Sequence, residues 1–503
     1  MDTSSLAPLI EKIRSILEFV RSEEALQADL IAPVQPRYRE SARNLLHYLA
    51  LRTFDLRDIQ EELSSLSISS LGHSEGYTLT NLQNILRLLQ LLNGEQPDEF
   101  DFKSPLDYRS SKAKLREHTL DLFGRHRRNE GSRIMVTMPS EASEDYEMIH
   151  GLLLAGMDIA RINTSHDSSL EWYRMISNIR LGEQETGKSC LIYMDLSGPK
   201  FRTESVAPVL PEKDYARFFE GDVLQLVKSD SGVLSDPDKI RVEVLLPEIF
   251  RDTREGHRIY FDDGKISGLV TKVEPDLITV KITRAGVEGS KLRADKGINL
   301  PDTPISLPSL TDADHANLPF IAANADIVGY SFVRRPSDVA QLQEELHKLN
   351  REDIGIILKI ETKEAFENLP MLLLTAMRNP KVGVMIARGD LAVEIGFERI
   401  AEVQEEIMWI CEAAHVPIIW ATQVLEKLAK KGTASRAEVT DAAMAARAEC
   451  VMLNKGPYIV NAVATLEDIA IRMEKHQFKR KGNLRPLSVA KRFWAQTTVG
   501  SKQ

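Results

Sequence analysis

Eight short apolar runs between residues 133 and 455 constrain the fold more than any other feature of the chain. Each run stops at polar residues, and helix-like amphipathic segments separate most of them. Strands that alternate with helices pair in parallel, so eight such units predict an α/β chain folded as a closed (β/α)8, or TIM, barrel. The runs are RIMVT, MDIARIN, CLIYMD, ADIVGYSF, IGIILKIE, VGVMIARGD, PIIWATQ and CVMLNK.

One connection, after the third run, is far too long for this rhythm. Residues 204–299 alternate in strand fashion and carry hairpin signals at DDG and EPD. We therefore expect an all-β domain at 204–299, inserted between barrel segments at 131–203 and 300–474. Because the insertion follows the carboxyl end of a strand, it would lie over the face where barrel enzymes hold their sites and could close as a lid.

Both ends of the chain differ from the barrel. Apolar residues recur at steps of three and four from Leu6 to Val20 and from Leu82 to Leu89, so 1–130 is predicted as an N-terminal helical domain with a linker. Such a bundle is typical of a packing or dimer element, with a ligand sensor as the alternative. The basic tail, 475–503, is expected to be frayed, with docking to a partner as the alternative.

Composition and charge argue against several kinds of partner. A formal net charge of −10 has the wrong sign for a general binder of nucleic acid or anionic membranes. No apolar run is as long as a membrane span, and the acidic start lacks the basic region of a signal peptide, so we expect a cytoplasmic protein. Three widely separated cysteines in apolar runs fit neither a disulfide framework nor a zinc site.

Polar residues at the ends of the predicted strands form one candidate site, because catalytic groups of β/α barrels lie at the carboxyl ends of strands. The set is rich in cations and contains two well-placed acids. Its members are Arg161, Asn163, Ser165 and His166 after the second strand, Asp195, Lys200 and Arg202 after the third, Lys359 and Glu361 on the fifth, Arg388, Gly389 and Asp390 after the sixth, and Thr422 and Gln423 after the seventh.

Lys359 and Glu361 are two positions apart on one strand and therefore share a face. Asp390 follows the adjacent strand, so the two carboxylates can converge on a hard cation such as Mg²⁺ or Mn²⁺. A lysine beside such an ion suits phosphoryl transfer, in which negative charge must be neutralised. The alternative is a buried ion pair of Lys359 and Glu361, with each other or with Arg388, that has no catalytic role.

Three weaker signals accompany this pair. Gly389 and Asp390 begin a candidate helix whose free N–H groups could bind a carboxylate. Thr422, taken alone, is more typical of a hydroxyl that bonds to the backbone. Asp262 and Asp263 are expected to be turn residues of the inserted domain.

Several long motifs between about 133 and 470 resemble those of the pyruvate kinases. They are GMDIARINTSHD, MDLSGPKFRT, LKIET, MIARGDLAVEI, WATQVLE and SRAEVTD, in that family's order and with the inserted domain in that family's place. The resemblance implies transfer of the phosphoryl group of phosphoenolpyruvate to ADP, which gives pyruvate and ATP and uses Mg²⁺ or Mn²⁺. A homo-oligomer is compatible with it, whereas no nucleic acid or membrane is expected as a partner.

The motif matches imply a role for each candidate residue. Lys359 would stabilise the moving phosphoryl group, and Arg161 would bind phosphate. The backbone around Gly389 would hold the substrate carboxylate, and Thr422 would lie near the carbon that is protonated. Glu361 and Asp390 would hold the divalent metal, and Asp390 would also lie beside the substrate. Asn163, His166 and Arg202 would line the nucleotide side of the site.

The sequence also departs from the family pattern. Leu196 and Lys200 stand where K⁺-dependent members carry Thr and Glu, so we expect no K⁺ requirement, with the ammonium of Lys200 near Asn163, Ser165 and Asp195 in place of the ion. TMPS (137–140) and MLNKG (452–456) are unusual loops, and the family's carboxyl-terminal regulatory domain is expected to be absent.

Two other functions stay open: a metal-dependent lyase or aldolase that uses a pyruvate enolate, and a non-catalytic regulator.

Overall fold

The computed structural model of the protein describes residues 6–69, 71–97, 106–125, 131–207, 214–229, 231, 239–474 and 486–500. The first part of the basic tail, 475–485, and residues 501–503 lie outside the described residues.

Helices fill the described part of the chain before the first strand. The predicted apolar stripe is buried in the first helix, where Ile10, Ile13 and Leu17 face the core. The helices are α1 (Ala7–Leu26), α2 (Ala28–Ile31), α3 (Arg39–Leu51), α4 (Arg57–Ser65), α5 (Thr78–Leu92) and α6 (Tyr108–Phe123), with 3-10 turns at Pro36–Tyr38 and Glu75–Tyr77.

The barrel begins at Arg133 with alternating strands and helices. Local signals set the helix ends: a capping box of Ser168 and Glu171 begins one helix, and Gly187, in the left-handed region at φ 66°, ends it. The elements are β1 (Arg133–Thr137), a 3-10 turn (Ser140–Ser143), α7 (Tyr146–Ala155), β2 (Ile159–Asn163), α8 (Ser169–Thr186) and β3 (Leu191–Asp195).

The insertion follows β3 and folds around its own apolar core. Its elements are β4 (Ser205–Ala207), β5 (Tyr215–Phe218), β6 (Val223–Lys228), β7 (Ile240–Val244), α9 (Glu248–Asp252), β8 (Arg258–Phe261), β9 (Ile266–Glu274), β10 (Leu277–Arg284), β11 (Ser290–Arg293) and β12 (Ile298–Asn299). A seven-stranded sheet has the order β12-β8-β9-β10-β6-β7-β4, and β11 pairs with β5. Both predicted hairpins are present, joining β8 to β9 and β9 to β10.

The chain then completes the barrel. The elements are α10 (Asp312–Asn324), β13 (Ile327–Tyr330), α11 (Pro336–Lys348), β14 (Gly355–Ile360), α12 (Lys363–Glu367), α13 (Leu369–Ala376), β15 (Val382–Ala387), α14 (Arg388–Ile395), a 3-10 turn (Phe397–Arg399), α15 (Ile400–Ala413), β16 (Ile418–Ala421), α16 (Glu426–Lys431), α17 (Arg436–Ala445), β17 (Cys450–Leu453), α18 (Ile459–Glu474) and α19 (Ser488–Gly500). The eight parallel strands close in the order β1-β17-β16-β15-β14-β13-β3-β2, which confirms the predicted fold class with its inserted β-domain and N-terminal helices.

Helix α6 packs against the amino-terminal end of the barrel interior. Leu122 and Phe123 are each 2% exposed and join the cluster of inward-facing strand residues. Gly355 and Gly383 permit this contact, because a Cβ at either position would lie 2.6 Å from a methyl carbon of Leu122. The helical region thus covers the end of the barrel opposite the predicted site.

The N-terminal helices also pack on barrel helix α15 and the loop that follows it. Asn44 donates to the carbonyl oxygen of Ala413 at 2.8 Å, and the ring of buried His415 contacts Ser41 Oγ at 3.0 Å. Burial lowers the pKa of His415 to about 3, so the ring is neutral at pH 7. These contacts make the helical region an integral layer of the molecule.

The expectation of a frayed carboxyl terminus is wrong for residues 487–494. Leu487, Ala490 and Phe493 are buried, and α19 packs against α13 and α3. Their spacing of three places them on one face of the helix, which supplies an apolar stripe despite the basic composition. None of the described helices, α19 included, is both long and apolar enough to span a membrane.

Candidate active site

A cleft of about 430 Å³ lies at the carboxyl ends of the barrel strands, where Asp263 of the inserted domain also contributes to its wall. It brings together residues that are far apart in sequence. Asp195 lies beside this cleft and is fully buried. The predicted site residues that line the cleft are Arg161, Asn163, Ser165, His166, Lys200, Arg202, Lys359, Glu361, Gly389, Asp390, Thr422 and Gln423.

Lys359 is fixed in the wall of this cleft, with only 6% of its surface exposed. Its Nζ donates to Ser331 Oγ at 2.6 Å and lies 3.2 Å from Glu361 Oε1 and 3.5 Å from Asp195 Oδ2. The two carboxylates offset the several kcal/mol that burial of an ammonium would otherwise cost. The fifth strand therefore presents a pre-oriented positive charge to the cleft.

Asp195 is the shared counterion of Lys359 and Arg161. Arg161 Nε donates to Asp195 Oδ2 at 2.7 Å, and the hydroxyl of Tyr193 donates to Asp195 Oδ1 at 2.6 Å. Burial acts to raise the pKa of Asp195, but the charges of Arg161 and Lys359 outweigh it and lower that pKa below its usual value. Asp195 thus stays ionised and orients Arg161, whose Nη1 also donates to Thr137 Oγ1 at 2.9 Å.

Glu361 and Asp390 are the two acids that could hold a divalent cation. Burial raises the pKa of Glu361, Lys359 opposes that rise, and the charge of Asp390 adds to it. Two carboxylates close enough to repel each other suit a hard cation. Within the described ranges, no cluster of three or more His, Cys, Asp or Glu that could hold a metal ion is present. A cation held by two carboxylates would keep positions for substrate and water, as Mg²⁺ prefers. The donor set therefore fits Mg²⁺ or Mn²⁺.

Asp390 also contacts both segments that connect the inserted domain to the barrel. The Nζ of Lys200, on the segment that leads from β3 to the inserted domain, lies 2.8 Å from Asp390 Oδ1. Asn299 Nδ2, on β12 where the chain returns, lies 3.4 Å from the same oxygen. Burial acts to lower the pKa of Lys200, but Asp390 outweighs it and raises that pKa. Lys200 lines the cleft together with Asn163 and Ser165. Its ammonium, however, pairs with Asp390. Asp195 pairs instead with Arg161 and Lys359.

Thr422 and Gly389 join the sixth and seventh strand ends. The amide of Gly389, in the first turn of α14, donates to Thr422 Oγ1 at 2.8 Å. Thr422 has φ 66°, an uncommon conformation for a β-branched residue, and such strain clusters at functional sites. Arg388 points elsewhere, because its Nη2 lies 2.8 Å from Asp441 Oδ2 and its Nε donates to the carbonyl oxygen of Ala421 at 3.0 Å.

The residues predicted for the nucleotide line the same cleft. Asn163 accepts from the amide of Ser165 at 3.2 Å, and His166 is exposed. The side chain of Arg202 is 38% exposed and lies 3.3 Å from Asp295 Oδ1 of the inserted domain. These residues are more exposed than Lys359.

Sequence reasoning missed several residues of the site. Asn299 bridges two acids, since its Nδ2 also lies 3.2 Å from Glu394 Oε1, and burial raises the pKa of Glu394 to about 7. Ser331 holds the ammonium of Lys359. The one sequence pattern that pointed to Glu394 was its spacing of four positions, about one helical turn, from Asp390. The two unusual loops reach the cleft as well, through Met138 and Lys455.

The chain is similar to known proteins of one family. A family model described as "Pyruvate kinase, barrel domain" matches residues 129–463. The chain is 36% identical to the pyruvate kinase of Bacillus licheniformis over 353 residues, which cover 68% of this chain and 57% of that protein. It is also 36% identical to the pyruvate kinase of Geobacillus stearothermophilus over 351 residues, which cover 68% of this chain and 57% of that protein. It is 33% identical to the pyruvate kinase of Staphylococcus saprophyticus over 357 residues, which cover 70% of this chain and 58% of that protein. The matches span less than three fifths of these relatives.

Proposed function

The chain belongs to the pyruvate kinase family, and on this premise we propose that it transfers the phosphoryl group of phosphoenolpyruvate to ADP. The bond between phosphorus and the enol oxygen breaks, and a bond to the terminal oxygen of ADP forms. The enolate then takes up a proton at carbon and becomes pyruvate, while ATP is the second product.

The arrangement of buried charge is the observation that carries the proposal. Lys359 and Arg161 are held in one cleft by a fully buried carboxylate, Asp195, with Glu361 and Asp390 beside them. Charge spread over a transferred phosphoryl group requires preorganised cations and little covalent help. A purely structural ion-pair network would not need to open into a cleft of this size.

Each cation has a separate proposed task. Lys359, the more deeply buried, stabilises the phosphoryl group as it moves between the two oxygens. Arg161 offers a planar pair of N–H groups that can hold phosphate oxygens. Asp195 contacts no substrate in this scheme and acts as a positioning residue, because it keeps both cations in place.

Glu361 and Asp390 are proposed to hold Mg²⁺ or Mn²⁺. When bound, such an ion supplies positive charge to phosphate and enolate oxygens. Both residues line the cleft, and their mutual repulsion favours a cation between them. A requirement for a divalent ion is therefore part of the proposal.

Gly389 and Thr422 are proposed to act at the organic part of the substrate. The first-turn amides of α14 can bind the substrate carboxylate, because the helix amino terminus favours negative charge. The hydroxyl of Thr422, already within hydrogen-bond distance of the Gly389 amide, is suited to hold or pass the proton that the enolate receives.

ADP is proposed to bind where Asn163, His166 and Arg202 line the cleft, because Arg202 is a cation on the segment that leads from β3 to the inserted domain. The inserted domain can then act as a lid that limits access of water to the reacting groups.

We further propose that turnover does not need K⁺. Lys200 places a permanent ammonium in the same cleft, 2.8 Å from Asp390. A fixed charge there can replace a monovalent ion, since both neutralise the surrounding carboxylate and phosphate oxygens. Leu196, an apolar residue that is fully buried, provides no ligand for such an ion.

The direct test is pyruvate formation from phosphoenolpyruvate with Mg²⁺, with and without ADP. Pyruvate that appears only with ADP supports the kinase. Pyruvate from cleavage of a larger keto acid would instead favour a lyase, and absence of product in both assays would favour a regulator. The Lys359→Met variant is the control that links any activity to this cleft.

A further inference from the structure

A second cleft lies wholly within the inserted domain and has a volume of about 690 Å³. We call it the lid cleft. Five cationic side chains line it, against the two carboxylates of Asp214 and Asp262. This excess of positive charge occurs in a chain whose formal net charge is −10, so it is a local feature. The cations are Lys265, Arg284, Lys291, Arg293 and Lys296.

The two-stranded sheet of β5 and β11 explains why charges collect there. Phe218 and Leu292 are fully buried in the core of the inserted domain. Residues next to them along each strand point to the opposite face. Tyr215 pairs with Arg293 in the ladder, and Lys291 lies 4.7 Å from the ring centre of Tyr215. One face of the pair is thus apolar and buried, while the other carries an aromatic ring and cations.

Part of this positive charge is not balanced by acids. Lys265 pairs with Asp262 at 2.7 Å, and Arg293 lies 3.5 Å from Asp214. Within the described ranges, no carboxylate lies within ion-pair distance of Arg284 or Lys291. A site with surplus cations and room for a small molecule is suited to a ligand with several negative charges.

We propose that the lid cleft binds a small molecule that carries two or more phosphate groups. One phosphate could contact only part of a cationic set that is drawn from two strands and two loops. Two linked groups could engage Lys291 and Arg293 on β11 together with Arg284 at the end of β10. The resulting hydrogen bonds would be charge-assisted and therefore stronger than neutral ones.

One tight turn connects the lid cleft to the catalytic cleft. Asp262 and Asp263 are adjacent and both have positive φ, 49° and 55°. Asp262 contacts Lys265 and Lys296, the latter at 3.3 Å, whereas Asp263 lines the catalytic cleft. An anion that competes for these lysines would loosen Asp262 and shift Asp263. Any resulting effect on turnover rests on the proposed function, whereas binding to the lid cleft does not.

Isothermal titration calorimetry of the full chain with pyrophosphate, in low salt and without divalent ions, tests the proposal. Replacing both Lys291→Ala and Arg293→Ala should weaken binding at least 10-fold, roughly the scale of two lost charge-assisted contacts. The matched control, Lys272→Ala with Lys281→Ala, removes two exposed cations of the same domain outside the lid cleft and should change binding less than about twofold. Equal effects of the two pairs, or none, would overturn the proposal.

Two further variants separate the clefts. The cations of the catalytic cleft are paired with acids, so Lys359→Met, which changes that cleft alone, should leave the lid-cleft event unchanged. Asp262→Asn should tighten pyrophosphate binding by about twofold or more, because it frees two lysines while Asn tolerates positive φ. Weaker binding in Asp262→Asn would contradict the assigned contacts. Since no phosphoenolpyruvate or ADP is present, failure here and failure of the phosphotransfer assay are distinguishable.

Discussion

Replacing Lys359 by methionine would remove one ammonium from the catalytic cleft and keep most of the side-chain length. The lost group lies within 2.6–3.5 Å of Ser331, Glu361 and Asp195, and the residue is only 6% exposed. At an effective dielectric constant of 20, a unit charge about 4 Å away contributes about 4 kcal/mol. Loss of one electrostatic stabiliser of a transition state typically lowers kcat by about 10²- to 10³-fold. We expect at least a 10²-fold loss for Lys359→Met.

The fold should survive this substitution. Asp195 keeps Arg161 and Tyr193 as partners, and Glu361 keeps the amide of Phe332, which donates to its Oε2 at 2.6 Å. Without the ammonium, the pKa of Glu361, already raised by burial, should rise further. Ionised Glu361 is the form that could bind a cation, so the acid limb of the activity profile should move to higher pH.

The assay is kcat for pyruvate formation at saturating phosphoenolpyruvate, ADP and Mg²⁺, measured across pH. Lys363→Met is the matched control, because Lys363 is half exposed in α12, shortly after the same strand, and does not line the catalytic cleft. It should retain activity within about twofold. A loss below about 10-fold in folded Lys359→Met, or an equal loss in Lys363→Met, would refute the assigned role.

Three other perturbations follow from the structure. Exchange of NaCl for KCl at constant ionic strength should change turnover by less than about twofold, and a tenfold rise would contradict the role of Lys200. Burial raises the folded-state pKa of Glu394 to about 7, so stability should fall as pH rises from about 4.3 to that value. Glu394→Gln should therefore raise the free energy of unfolding in urea by up to about 3 kcal/mol at pH 8 and hardly change it at pH 4.5. An equal gain at both pH values would show that ionisation of Glu394 is not the cause of the gain. Phe493→Ala in α19 should lower that free energy by about 3–5 kcal/mol, against less than about 0.5 kcal/mol for exposed Lys491→Ala, and equal values would mean that α19 is not docked.

The barrel was predictable because its parallel strands are buried on both faces and therefore appear as continuous apolar runs. Every parallel strand of a closed barrel ends at the same face, and catalytic groups of such barrels lie at those carboxyl ends. Lys359 and Glu361 could therefore be grouped with residues far away in sequence. No packing detail was needed for either step.

The partners of Asp195 could not be predicted in the same way. Its contacts with Arg161 and Lys359 depend on which side chains reach across the barrel interior, and strand periodicity does not determine that. Asn299 is equally remote, because it meets Asp390 only after the inserted domain has folded and returned. The apolar spacing that predicts a buried helix face was present in the sequence of α19, at Leu487, Ala490 and Phe493. The surrounding basic residues nevertheless favoured the interpretation of a free tail.

The ion-pair interpretation of Lys359 and Glu361 and the catalytic one are compatible. Arg161, Lys200 and Lys359 are balanced by Asp195, Glu361 and Asp390, and each cation pairs with at least one of these acids. A balanced set of buried charges resists the addition of a phosphate ester alone or of a divalent cation alone, because either would leave uncompensated charge in a poorly hydrated cleft. Added together, the two largely cancel. Under the proposed function, substrate and cation should therefore each bind more tightly in the presence of the other.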